Sequence, residues 1–355
     1  MRRWLALGVG LLSLAAADPL LAQVTTNAPA PMAGALPVTI ERIKVHSAAI
    51  EGNLEGESAD RDVIVILPPG YAKSPRRRYP VVYALHGYSI GADQWTREIH
   101  VPQTIEGGFA SGAKEMIFVF PDSKTIHNGS MYSSSVTTGD FEKFIARDLV
   151  SYIDAHYRTL AQRASRGLAG HSMGGYGTSR IGMKYPDVFG ALYMMSPCCL
   201  SARQGGQLPA EAMAALAAIK TPGDSAKLPF GLRAQLASAA AWSPNPKNPP
   251  LYLDLPVKDG VLQPEVLARW AANAPLAFVD QYIANLRQYR GISIDVGDKD
   301  GLKGDAQKLH DVLDSYGITN GFEIYAGDHT NNVALRFQRQ VIPFFSAKLL
   351  FAKQN

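Results

Sequence analysis

From residue 40 onward the apolar positions switch repeatedly between two spacings. Residues 40–50 and 62–67 alternate or cluster β-branched side chains, and Pro68-Pro69-Gly70 stops the second run. Short uninterrupted apolar runs follow at 81–85 (Val-Val-Tyr-Ala-Leu) and 116–120 (Met-Ile-Phe-Val-Phe), the second halted by Pro121-Asp122. Runs of this length between turn formers predict buried strands. Between 141 and 156 the spacing changes, and Phe141, Phe144, Ile145, Leu149, Tyr152 and Ile153 share one helical face. A strand then runs into Gly170, a helix follows it, and residues 191–195 read as another strand. After a gap the alternation resumes with a helix at 275–289, a strand at 292–296, a helix at 306–316, a strand at 322–325 and a last helix at 332–350. Strands alternating with helices predict an α/β fold, a mostly parallel central sheet flanked by helices on both faces.

Two stretches fall outside this rhythm. Residues 1–22 read as a secretory signal: Arg2-Arg3 precede an apolar run from Leu5 to Ala17, too short to span a bilayer, with small-residue cleavage points after Ala17 or Ala22. The product is expected to be secreted or periplasmic, with no membrane attachment after cleavage, since no later apolar run approaches ~18 residues. Residues 23–38, rich in Ala, Pro and Thr, read as a flexible leader, and 39–352 as one catalytic domain. Within it, residues 200–272 are rich in Ala, Gly and Pro and form an insertion between the strands near 195 and 292. Both strands end where a site would lie, so the insertion is expected to form a cap over it.

Composition narrows the function classes. Of 355 residues, 46% are hydrophobic and 19% charged, which excludes a disordered chain. Two cysteines exclude a disulfide framework, a four-cysteine zinc site and a cysteine-held iron–sulfur cluster. A formal charge of +4 is too mild for a nucleic-acid partner, and Arg76-Arg77-Arg78 reads as a solvated turn.

The chemistry begins at Gly170-His171-Ser172-Met173-Gly174, which fits G-x-S-x-G. A serine on a sharp strand-to-helix turn has strained backbone angles, and glycines two residues either side avoid clashes with neighbouring backbone. A serine hydroxyl needs a histidine to take its proton and a carboxylate to orient that histidine. Only His310 and His329 follow Ser172 in the chain. His310 falls inside a predicted helix, whereas His329 sits in a loop after the last strand, where a base belongs. The strand at 292–296 is followed by Asp298 and Asp300. Asp300, three residues beyond Gly297, is the preferred acid and Asp298 the second candidate; Asp295 lies within the strand. A calcium loop fails here, because its register would put Val296 at the first ligand and Gln307 at the last. The N–H groups of Met173 and Tyr88 are the candidate donors of an oxyanion hole, with Gly87 allowing close approach and His86 holding the loop. Gly87, Trp95, Tyr132, His171, Trp242 and Trp270 are candidate substrate-binding residues, as is Tyr252, and no metal or cofactor is implied. Cys198 and Cys199 are expected as reduced, buried thiols, since adjacent cysteines close a strained ring.

Five segments together carry a resemblance: residues 65–71, 79–88, 170–175, 297–300 and 327–329. They are similar to the esterase D / feruloyl esterase / antigen 85 group of α/β-hydrolases. The resemblance implies an α/β-hydrolase fold and a serine carboxylesterase working through an acyl-enzyme, with Ser172, Asp300 and His329 as its triad. Feruloyl, acetyl or other small acyl esters of carbohydrates are the implied substrates. An acyltransferase passing the acyl group to a sugar, or a non-catalytic binding protein on the same scaffold, are the alternatives. The insertion at 200–272 departs from the small members of the group, so substrate choice does not carry over.

Overall fold

The computed structural model describes residues 25–202 and 209–352; the predicted signal segment, 1–22, lies outside them. Eight strands form one sheet: β1 (Thr39–His46), β2 (Asp60–Leu67), β3 (Val81–Leu85), β4 (Ile117–Pro121), β5 (Arg166–His171), β6 (Ala191–Met195), β7 (Gly291–Gly297) and β8 (Gly321–Tyr325). Their order in the sheet is β1-β2-β4-β3-β5-β6-β7-β8. β2 runs antiparallel to both β1 and β4, and every later pairing is parallel. This is the mostly parallel sheet expected from the alternation of strands and helices.

Strand side chains point to opposite faces in turn, and β3 feeds two separate cores. Val81, Tyr83 and Leu85 pack in one cluster with Phe141, Phe144, Leu149, Tyr176 and Leu309. Val82 and Ala84 pack in the other with Trp95, Phe118, Phe120, Phe337 and Phe345. Complete burial on both faces explains why the central strands are apolar at every position.

The helices depart from expectation in three places. Ala92–Glu98 and Gln103–Ala110 form two helices between β3 and β4 that the periodicity left unassigned. Neither exceeds eight residues, too short for a repeat to stand out. The helix expected at 275–289 is broken into Pro275–Phe278, a 3-10 turn at Val279–Tyr282 and Ile283–Leu286. The helices at 141–156 and 333–348 each contain a π-helical segment, Phe144–Asp148 and Phe337–Val341.

The insertion folds as helices Ala210–Ala217, Phe230–Trp242 and Pro264–Ala272 with a small hairpin of Val257–Lys258 and Val261–Leu262. Residues 25–38 form no helix or strand but are bonded to the body. Asn27 donates its N–H to the Asn331 carbonyl at 2.7 Å, and the Thr26 hydroxyl accepts from Ala334 N–H at 3.1 Å. Among the described residues no helix is long and apolar enough to cross a membrane.

Candidate active site

The parallel strands end at one edge of the sheet, with Leu85 of β3 opposite Gly170 of β5 and His171 opposite Met195 of β6. Ser172 is the first residue beyond β5, and its φ of 56° and ψ of −113° put a non-glycine residue in strained backbone. A Cβ on Gly174 would lie 2.0 Å from the Leu85 carbonyl oxygen, and one on Gly170 would lie 2.2 Å from the Gly174 carbonyl. Close backbone approach therefore dictates both glycines. The turn is clamped by Ser172 N–H on the Met195 carbonyl and by Cys198 N–H on the Ser172 carbonyl.

His329 follows β8 and stands between the serine and a carboxylate. Its Nε2 is 3.0 Å from Ser172 Oγ, and its Nδ1 is 2.8 Å from Asp300 Oδ2. The other Asp300 oxygen accepts the Leu302 N–H at 2.9 Å. Burial alone would raise the Asp300 pKa. The hydrogen bond and charge of His329 and the Leu302 N–H outweigh it, so the carboxyl sits below its ordinary value and stays ionised at neutral pH. Asp298 faces elsewhere: its Oδ1 accepts the Gly327 N–H at 2.8 Å and so shapes the loop that carries His329. Asp295 lies in β7, where it accepts from Tyr193 Oη and Arg336 Nε, both at 2.8 Å. His310 is bonded to Asn320 and stacked on Phe322.

The loop after β3 is fixed from below. His86 Nε2 accepts the Ser123 N–H at 2.8 Å, which leaves the ring proton on Nδ1 to donate to the Gly87 carbonyl. Burial lowers the His86 pKa, so the ring is neutral and holds the loop as expected. Gly87 backs onto Ser172, where an added Cβ would stand 3.5 Å from Ser172 Cβ. Among the described residues, neither Tyr88 N–H nor Met173 N–H has an intramolecular acceptor.

Residues 57–343 match the model of the Esterase family. The chain belongs to that family. It is 31% identical over 137 residues to an endo-1,4-beta-xylanase/feruloyl esterase of Xylanibacter ruminicola, a stretch covering 37% of this chain and 19% of that protein. An esterase of Mycobacterium tuberculosis is 35% identical over 126 residues, covering 35% of this chain and 26% of the relative. The matched stretches of the chain thus cover only about a fifth to a quarter of the length of these relatives. Among solved structures, a ferulic acid esterase superposes with a TM-score of 0.62 at 23% identity, covering 87% of this chain and 97% of its own. A fluorophosphonate-binding serine hydrolase of Staphylococcus aureus superposes with a TM-score of 0.59 at 18% identity, covering 87% and 99%. These likenesses establish the α/β-hydrolase fold.

A cavity of about 330 Å³ opens beside Ser172 and His329, walled by Tyr88, Met131, Cys198, Cys199, Phe230, Ala234 and Leu302. Cys198 and Cys199 are half-buried in this wall rather than buried as expected. A larger hollow of about 720 Å³ lies within the cap, between residues 219 and 269, and includes none of Ser172, Asp300 and His329. None of the tryptophans and tyrosines expected to bind substrate lines this cavity. Trp95 is fully buried against Phe120 and Phe337. Tyr132 is buried beneath the loop after β3 and donates its hydroxyl to the His86 carbonyl at 3.1 Å. Trp242 and Trp270 pack edge to face at 5.4 Å; the Trp242 indole N–H on Ser133 Oγ anchors the cap to the body, and that of Trp270 on Ser243 Oγ stays within the cap. Tyr252 offers its carbonyl to Thr137 Oγ1, a further tie between cap and body. Trp242→Ala removes this anchor and is expected to cost about 3 kcal/mol, read as a lower denaturant midpoint.

His171 also leaves the pocket. It is 2% exposed, and its Nε2–H donates to the His329 carbonyl at 2.8 Å. Burial and the neighbouring His329 push its pKa down to about 3, so the ring is neutral and braces His329 from behind. His171→Phe keeps the bulk and removes the donor. We expect kcat to fall about tenfold with KM unchanged, the rate equivalent of roughly one net hydrogen bond.

Proposed function

We propose that the chain is an exported serine carboxylic-ester hydrolase acting through an acyl-enzyme on feruloyl, acetyl or other small acyl esters of carbohydrates. The observation that carries the reading is the hydrogen-bonded line from Ser172 Oγ through His329 to Asp300. In it Ser172 Oγ attacks the acyl carbon as His329 Nε2 takes its proton, while Asp300 orients and stabilises the resulting imidazolium. The N–H groups of Tyr88 and Met173 receive the oxyanion. Collapse expels the alcohol, protonated by His329, and leaves an acyl ester on Ser172. Water, activated by the same histidine, then releases the acid. The sugar ester substrates are suggested by the relatives' names, and export by the charged, apolar sequence of residues 1–22.

The test is turnover of feruloyl and acetyl esters, with and without a sugar acceptor. Hydrolysis with an acyl adduct on the Ser172 peptide supports the reading. An acylated sugar as main product would make it a transferase, and no adduct would overturn the serine mechanism. Export is checked separately by N-terminal sequencing of the product, expected to begin at Asp18 or Gln23.

A further inference from the structure

The cavity wall beside Ser172 contains two adjacent cysteines that the hydrolytic steps do not use. Cys198 and Cys199 both line the cavity, and their Sγ atoms lie 2.7 Å apart, facing each other rather than diverging. Cys199 has a φ of 59°, an uncommon conformation for a residue with a side chain, and this bends the chain so that neighbouring side chains converge. We propose that this pair is a redox modification site, a dithiol that closes to a cyclic disulfide and thereby reshapes the acyl cavity.

The backbone around the pair is pinned on both sides. Ser196 N–H donates to the Asp295 carbonyl at 2.7 Å, Cys198 N–H to the Ser172 carbonyl at 3.1 Å, and Leu276 N–H to the Leu200 carbonyl at 2.9 Å. Ring closure therefore cannot be relieved by sliding the segment. Neighbouring Cα atoms stand about 3.8 Å apart across a trans peptide, nearer than the roughly 4.4–6.8 Å usual for a disulfide. The closed ring is strained, and strained disulfides are the readily reduced ones. This makes the pair a reversible site rather than a structural staple. Its position between Ser172 and the cap ties its state to the space left for the acyl group.

The oxidant is a disulfide of the glutathione class. One cysteine thiolate attacks a sulfur of that disulfide and releases one glutathione thiolate, leaving a mixed disulfide on the protein. The second cysteine thiolate attacks the protein-side sulfur and releases the other glutathione. The pair has then lost two electrons and two protons, and the oxidant has become two thiols.

The redox site itself is independent of the ester reading; only its effect on acyl fit rests on it. The full chain is equilibrated in glutathione buffers from fully reduced to fully oxidised, quenched with an alkylating agent and digested. The expected result is a peptide carrying two alkyl groups in the reducing buffers and none in the oxidising ones, the unalkylated form two hydrogens lighter than the dithiol. A doubly alkylated peptide in every buffer, or a stable glutathione adduct on one cysteine, overturns the site. In parallel, kcat/KM is measured for p-nitrophenyl acetate and octanoate in both states. The octanoate-to-acetate ratio is expected to change about threefold or more, and to stop responding to the buffer in a Cys198→Ser/Cys199→Ser variant. An unchanged ratio in a chain whose cysteines do close overturns the effect on the cavity. No turnover in either state, with closure intact, overturns the ester reading and the effect on acyl fit while leaving the dithiol site standing.

Discussion

Replacing Ser172 with alanine is expected to lower kcat for p-nitrophenyl acetate by about 10⁵-fold or more. The change removes one oxygen from a residue whose backbone is held by Met195 on one side and by Cys198 and Tyr176 on the other. The fold and cavity should therefore remain. Residual rate above water would come from the Tyr88 and Met173 N–H groups and from binding, which do not depend on the hydroxyl. Steady-state kinetics and a matching circular-dichroism spectrum decide the outcome. A folded variant with near-normal turnover would remove the nucleophile from the mechanism.

The second large effect separates two aspartates only two positions apart. Asp300→Asn is expected to lower kcat by roughly 10⁴-fold. Asp300 accepts at Oδ2 from His329 and at Oδ1 from Leu302 N–H, and an amide can satisfy only one of these with its oxygen. If that oxygen stays with Leu302, the amide nitrogen meets His329 Nδ1 and forces the ring proton onto Nε2, where it blocks proton transfer from Ser172. The variant also removes the negative charge that steadies the imidazolium. Asp298→Asn should cost about tenfold or less, because its single bond, from Gly327 N–H, can be kept by an asparagine oxygen. Comparable losses in the two variants would mean that the acid had been misassigned.

The succession of strands and helices and the sharp turn at Ser172 could be read from the chain because both follow largely from local constraints. Gly170 is required by the Gly174 backbone that the turn itself brings near, although Gly174 is required by the neighbouring strand at Leu85. The choice between Asp298 and Asp300 was not local. It depends on the path of three residues and on a loop from another strand, so sequence could rank the two but not separate them. The rim aromatics were misread for a different reason. Residue type shows that Trp242 and Trp270 bury surface, yet not which way the rings face, and both turn inward to find Ser133 and Ser243. His171 could have been assigned correctly. Strand alternation sets it on the face shared with Ala169, away from the pocket, had the period of β5 been followed to its last residue. For Phe230 in the cavity wall no signal existed, since its place depends on how the cap docks.

The tie between Thr26 and Asn331 joins residues 305 apart in the chain. Contacts of such separation form slowly and late, after local pairs have organised. A nascent chain that has released β1 to β6 already contains Ser172, but neither Asp300 nor His329 has yet been synthesised. The loop bearing His329 is bonded to the segment at residues 26 and 27. The line from Ser172 through His329 to Asp300 thus joins three separate stretches of chain, and a chain cut after β6 would carry the serine with neither of its partners.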